Sequence, residues 1–168
     1  MEPSLSAAAA RIREDLGPRA LSISCQGADI LCLEIDRKDL LETARYLRDT
    51  PELRFDYLSC LGGVDMLTHI SVVYHLHSLP NRLSAQLRVR LDAQEPTVDS
   101  VSTVWPTANW HEREAFDLLG IDFVGHPNLE RLLLAEDFEG YPLRRNYRLP
   151  RRRNPHGGPE QQGGQANE

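Results

Sequence analysis

His111 and Glu112 begin the pattern of a zinc site, in which two imidazoles one helical turn apart share a metal. The second imidazole would have to come from residue 115, which is Ala, so the pattern is broken. His69, His75 and His77 fall on one face of a strand-like run, and imidazoles two residues apart can chelate a metal. No further ligands flank them, and a solvated or partner-facing polar strip is the preferred reading. Glu112, Arg113, Glu114 and Asp117 crowd one short helix. Glu114 and Asp117, three residues apart, are expected to face similarly and could work as an acid and a base. Arg113 is adjacent and nothing marks a nucleophile, so an ion-pair network anchoring the irregular stretch that follows fits better. Cys25, Cys32 and Cys60 form no C-x-x-C pair and are too few for a zinc ribbon or an iron–sulfur cluster. They are expected as reduced, small apolar residues in or near the core. Gly62-Gly63 lacks the strand–loop–helix setting of a phosphate cradle, and no G-x-S-x-G elbow occurs.

Charge is distributed unevenly over the 168 residues. There are 25 acids against 19 bases, a net charge of −6, and Lys38 is the only lysine. Residues 144–153, RRNYRLPRRR, hold six Arg and no acid, which leaves the remaining chain at −12. A basic segment on an acidic body suits docking to something anionic, protein or nucleic acid. Tyr147 between arginines could stack on an RNA base, but a −12 body steers a polyanion poorly. An acidic protein surface suits the segment at least as well. No run approaches the ~18 apolar residues of a spanning helix, and MEPSLSAAAARIRED does not read as a signal peptide.

The elements that would position these residues follow from periodicity. Ser4 to Leu16 predicts a helix closed by Gly17-Pro18. Ala20–Cys25 and Asp29–Ile35 predict two strands around a Gly27-Ala28 turn. Asp36 predicts the cap of a second helix, with Leu40, Leu41, Ala44 and Leu47 inward, Arg45 and Arg48 outward, and Pro51 as its stop. Phe55–Leu61 predicts a strand ending at Gly62-Gly63. His69–His77 and Arg82–Asp92 alternate strictly and predict an antiparallel hairpin with one wet face. The order helix, two strands, helix, three strands makes a two-layer α/β (α+β) domain over residues 1–95. Residues 96–150 predict two short helices and an irregular C-terminal arm. The first helix spans Val98–Val104; the second runs from Trp110 to Leu119, capped by Asn109 and ended by Gly120. Residues 151–168, poor in apolar side chains, are expected to be disordered.

The stretch WHEREAFDLLGIDFVGHPNLERLLLAEDFEGYPLRRNYRLP, residues 110–150, closely resembles the 30 kDa subunit of respiratory complex I, the C subunit of proton-pumping NADH:quinone oxidoreductase. The resemblance rests on Glu112-Arg113-Glu114, Asp117, Gly120-Ile121, Phe123, Gly125-His126-Pro127, Leu129, Asp137, Glu139-Gly140 and Pro142-Leu143-Arg144-Arg145. VVYHLHSL at 72–79 and SVSTVWPTANW at 100–110 extend it upstream. The chain departs from the family pattern at Glu130, where a basic residue is usual, at Leu119, and at Asn146 and Arg148, where an acid and a proline are usual.

The resemblance implies a structural subunit of the peripheral arm that binds no cofactor itself. NADH, FMN, iron–sulfur clusters and quinone would belong to partner subunits. Those partners would be other complex I subunits, chiefly the D subunit, which helps form the quinone site, with no nucleic acid. Membrane contact would come only through them, on the cytoplasmic side of a bacterial inner membrane. The segment from 110 to 150 would carry assembly through Trp110, Glu112, Arg113, Glu114, Asp117, Gly125, His126, Pro127, Arg131, Gly140, Pro142, Arg144, Arg145 and Tyr147. Arg113 and Arg144 are expected in charge-assisted contacts, and Gly125-His126-Pro127 in a fixed turn. Two other readings stay open. One is the equivalent subunit of a membrane-bound hydrogenase or of a quinone reductase with another donor; the other is a small RNA-binding protein using the Arg segment.

Overall fold

A computed structural model of the chain describes residues 5–26 and 30–149. Helix α1 (Leu5–Leu16) leads through a 3₁₀ turn into β1 (Ala20–Gln26), which is followed by β2 (Ile30–Ile35). A second 3₁₀ turn opens α2 (Leu40–Asp49), and β3 (Tyr57–Asp65), β4 (His69–Ser78) and β5 (Leu83–Asp92) follow. The chain continues as β6 (Thr97–Asp99), α3 (Ala108–Leu119) and β7 (Asp122–Val124). Five strands form one sheet in the order β1-β2-β5-β4-β3, and β6 pairs β7 in a separate parallel ribbon. The pairing is antiparallel except between β2 and β5, which run parallel.

Alternation decides which face of the sheet is dry. Leu31, Leu33 and Ile35 of β2, Ile70, Val72, Tyr74 and Leu76 of β4, and Leu87, Val89 and Leu91 of β5 are all buried. They join one core with Ala8, Ala9, Ile12 and Leu16 of α1 and Leu40, Ala44 and Leu47 of α2. Val98, Val101, Val104, Trp105, Ala108, Ala115 and Leu119 belong to the same core. Trp105, buried, also donates from Nε1 to the Phe55 carbonyl at 2.9 Å, so its polar edge is satisfied. The opposite face of the sheet carries Glu34, His75, His77, Gln86, Arg88 and Arg90.

The structure departs from the sequence expectations at several points. Val98–Val104 is not a helix: Val98 lies in β6, and Val101 accepts the turn bonds of Val104 and Trp105. The three valines are buried at a spacing of three, which mimics a helix stripe. The Ser100 amide instead donates to Val124, and the Val101 amide to the Glu112 carboxylate. Gly62 and Gly63 do not end β3 but lie inside it, because a Cβ on Gly63 would sit 2.4 Å from Leu119 Cδ1 and 2.9 Å from Ile121 Cδ1. Helix α3 starts at Ala108 after Thr107, whose hydroxyl donates to Leu58 rather than capping; Asn109 is inside the helix. Asp36 caps the 3₁₀ turn before α2 by accepting from the Lys38 amide. Arg48 is half-buried, donating to the Val104 carbonyl. The thiols are not core residues: Cys25 and Cys60 are exposed and Cys32 is half-buried. The Gly27-Ala28 turn and the tail 151–168 lie outside the described residues.

Candidate functional site

Helix α3 is the post to which the irregular arm, residues 129–149, is fastened. Its inward stripe is Ala108, Glu112, Ala115 and Leu119, with Asp117 also buried under the arm, and Gly120 ends it in the left-handed conformation at φ 68°. A Cβ on Gly120 would lie 2.5 Å from the Tyr141 ring, so both the turn and the arm require glycine there.

Asp117 holds the near end of the arm. Its Oδ2 accepts the amides of Leu132, Leu133 and Leu134 at 3.1, 2.7 and 2.9 Å. Successive amides converging on one oxygen make a small anion nest. Burial pushes the Asp117 carboxyl up, but these three donors and the Arg131 guanidinium outweigh it and hold it below the usual carboxylate range. Arg131 Nη1 stands 3.8 Å from Oδ1, which has no hydrogen bond. Arg113 reaches the same stretch from one turn earlier, donating to the Glu130 and Arg131 carbonyls at 3.1 and 3.3 Å. Its guanidinium lies 5.1 Å from the exposed Trp110 ring.

The far end is held by Arg144 and Asp65. Arg144 donates from Nε to the Leu119 carbonyl at 2.5 Å and from Nη1 to the Ala93 carbonyl at 2.6 Å. A cation on the last carbonyls of α3 is favoured by the helix dipole. The Leu143 amide adds a bond to the Leu118 carbonyl. Asp65 at the end of β3 accepts the Arg145 amide at 2.9 Å and the Leu67 amide at 2.7 Å. The Arg145 amide leads in lowering its pKa, against an opposing push from burial. Between the two ends, Tyr147 stacks on Phe138 at 6.1 Å, and Gly140, φ 82°, leaves room for the Tyr147 ring. Pro142 sits half-buried in this turn.

Glu112 and His126 brace α3 from the other side. Glu112 is fully buried and accepts Ser100 Oγ at 2.6 Å and the Val101 amide at 2.7 Å. Burial raises its pKa to about 7 despite those two bonds. His126 Nε2 bonds the Asn109 carbonyl at 3.2 Å, and Nδ1 accepts the Asn128 amide at 3.0 Å. That pattern assigns a neutral ring with its proton on Nε2, 3.9 Å from Glu112 Oε2. Gly125, φ 79°, and the His126 amide bonded to Phe123 form the turn, with Pro127 on its outside.

The sequence marks many of these positions but not their chemistry. Glu114 is exposed and Asp117 buried, so they are not a carboxylate pair on one face. Arg113 and Arg144 hold carbonyls rather than carboxylates. Asp65 and Ser100 escape a reading of the sequence: an anchor to Arg145, 80 residues away, leaves no local pattern. Of the three β4 histidines, His77 bonds Ser59 and Ser84, His69 bonds Thr68, and His75 is exposed. Among the described residues no group of three or more His, Cys, Asp or Glu side chains could hold a metal ion. No helix among them is long and apolar enough to cross a membrane. The arm presents a mixed surface outward: Leu133, Tyr141, Leu143 and Leu149 are exposed, Arg145 and Arg148 lie near its far end, and Glu130, Glu136, Asp137 and Glu139 are exposed along it.

Comparison with known proteins gives the family. The model of the family described as respiratory-chain NADH dehydrogenase, 30 Kd subunit, matches residues 33–153, which include the stretch that carried the resemblance and extend upstream of it. The C subunit of NADH-quinone oxidoreductase from Roseiflexus sp. (strain RS-1) is 46% identical over 142 residues, covering 83% of this chain and 81% of that one. The C 2 subunit of the same enzyme from Rhizobium etli (strain CIAT 652) is 41% identical over 157 residues, 89% of this chain and 79% of its own. Among solved structures, a trypsin-resistant fragment of Nqo5 superposes with a TM-score of 0.63 at 30% identity, over 71% of this chain and 98% of the fragment. A chain of the membrane-bound sulfane sulfur reductase, an archaeal respiratory membrane complex, gives 0.75 at 21% identity over 86% and 85%, a likeness of fold alone. On the family match and on identities above 40% across most of both partners, the chain belongs to the 30 kDa subunit family of respiratory-chain NADH dehydrogenase.

Proposed function

We propose that this chain is a non-catalytic, cofactor-free subunit of the peripheral arm of a proton-translocating NADH:quinone oxidoreductase. In this reading it packs on the quinone-site subunit, the D subunit of the complex, through the arm 129–149. Electrons pass from NADH through FMN and iron–sulfur clusters on partner subunits to quinone. The complex sits at a bacterial inner membrane, and this chain stays on the cytoplasmic side, held through its partners. One observation carries the proposal: the arm is fastened from beneath by Asp117, Arg113, Arg144 and Asp65, while Leu133, Leu143 and Leu149 are exposed. A segment with so little regular structure, fastened from beneath and carrying exposed leucines among charged residues on its outer side, suits a protein interface. Among the predicted interface residues, Glu112, Asp117, His126 and Arg144 position the arm, whereas Trp110 and Arg145 touch the partner, joined by the exposed leucines, which the sequence does not single out as interface residues.

The test is a Leu133→Asp/Leu143→Asp double variant in the tagged full-length chain. Both side chains are more than half exposed, so the fold is retained. The quinone-site partner should be lost from the co-purified complex, together with NADH:quinone reductase activity. Normal recovery of that partner with the double variant would refute the assignment of this surface.

A further inference from the structure

The face of the five-stranded sheet opposite the dry core holds a depression of about 300 Å³. Two cross-strand rows build it. Val64 of β3, Ser71 of β4 and Arg90 of β5 lie in register, as do Gly62, Val73 and Arg88. The middle is low because Ser71 is small and Gly62 has no side chain, with nothing within 4 Å of where its Cβ would be. The rim is high because Met66 and Val64 rise on one side and the two arginines on the other.

Its polar groups are incompletely used. The Ser71 hydroxyl lines the depression, is buried at 6% exposure, and has no hydrogen-bond partner. Buried hydroxyls are nearly always paired, so an orphan here calls for an acceptor from outside the chain. Arg90 is ion-paired to Glu34 at 2.5 Å. Arg88 donates only to the neutral Gln86 amide oxygen, and no ion pair engages it among the described residues. His69 adds a third nitrogen-bearing side chain to the lining.

We infer that this depression is a second docking site, which receives an Asp or Glu side chain, flanked by an aliphatic residue, from another protein of the complex. The carboxylate takes the Arg88 guanidinium and the Ser71 hydroxyl, and the aliphatic neighbour lies against Val64, Met66 and Val73. The volume sits at the lower bound of small-molecule pockets, about 300–1,000 Å³, and accommodates one or two side chains rather than a cofactor. A polyanion is disfavoured, since Glu34 lies beside Arg90 and three apolar side chains line the wall. The inference rests on membership of a multi-subunit complex but not on the arm interface.

The experiment places the photo-crosslinking residue p-benzoylphenylalanine at Met66, on the exposed rim, and irradiates the purified complex. The expected adduct is a peptide of another protein of the complex with Asp or Glu within a few residues of the crosslink. Arg88→Glu should lower incorporation of the tagged chain by about tenfold or more, with Arg88→Lys intermediate. Reversing the crosslinked acid to Arg should restore incorporation of Arg88→Glu. No adduct in an intact complex, an adduct to lipid, RNA or a peptide without a carboxylate, or undiminished incorporation of Arg88→Glu overturns this site and leaves the proposed function standing. Failure of the wild-type chain to co-purify with any redox protein overturns both.

Discussion

Asp117→Asn isolates the nest that holds the arm. The native carboxylate accepts three amides, and hydrogen bonds to a charged acceptor contribute about 1.5–3 kcal/mol each against about 0.5–1.5 for a neutral one. Loss of the charge therefore removes roughly 1 kcal/mol per bond, about 3 kcal/mol in all, partly offset by the lighter desolvation of an amide. A net loss of about 2–3 kcal/mol corresponds to a ~30- to 150-fold rise in local opening. Hydrogen exchange read by mass spectrometry over 129–135 measures that opening directly. The folded carboxyl lies below its ordinary pKa, so its contribution is present above the unfolded value and lost as pH falls through the folded one. The difference between wild type and variant should thus be constant from about pH 6 to 8 and shrink in acid. Glu114→Gln, on an exposed neighbour, serves as the control and should change nothing. Exchange at residues 132–134 within about threefold of wild type would refute the argument that charge, rather than shape, fixes the arm.

Glu112→Gln should flatten a pH dependence: the folded pKa of about 7 exceeds the ordinary value of 4.5, so wild-type stability is full below pH 4.5 and declines as pH rises through 7. Denaturant melts at pH 5.5 and 8 should show a decline of up to ~1.4 kcal/mol per pH unit in wild type and little in the variant, and parallel curves would count against it. Gly120→Ala should cost about 2 kcal/mol or more, from the left-handed φ and the Tyr141 ring in its path, read as a fall in Tm. Arg113→Ala, which frees the Glu130 and Arg131 carbonyls and removes the cation from the Trp110 ring, should weaken incorporation into the complex; normal assembly and quinone reductase activity would contradict its positioning role.

The features legible in the sequence are those set by neighbours within a few residues. Strict alternation in β4 and β5 yields both strands, their antiparallel pairing and the dry face, because a pleat of period two leaves no other arrangement. Gly120 marks the end of α3 because only a left-handed residue closes that turn without strain. The parallel pairing of β2 with β5 is not legible, since α2, β3 and β4 intervene and no local signal reports the crossover. Residues 98–104 mislead for a related reason: Glu112, eleven residues beyond Val101, takes an amide a helix would have used. Gly63 reads as a terminator because the close approach that demands it comes from Leu119 and Ile121. At the site, the charged residues stand out in the sequence but their partners do not, because Arg113 and Arg144 donate to backbone carbonyls, which every residue carries and no pattern marks.

The fasteners of the arm come from three places far apart in the chain: Asp65 at the end of β3, the Ala93 carbonyl after β5, and Asp117 with the Leu119 carbonyl in α3. Segment 129–149 can take its shape only when all three have reached their folded positions. A nascent or partly unfolded copy therefore displays no ordered outer surface, however intact its Leu133–Leu149 sequence. With the proposed interface on this surface, partner recognition would double as proofreading: the larger assembly would admit a chain on the evidence of its finished fold.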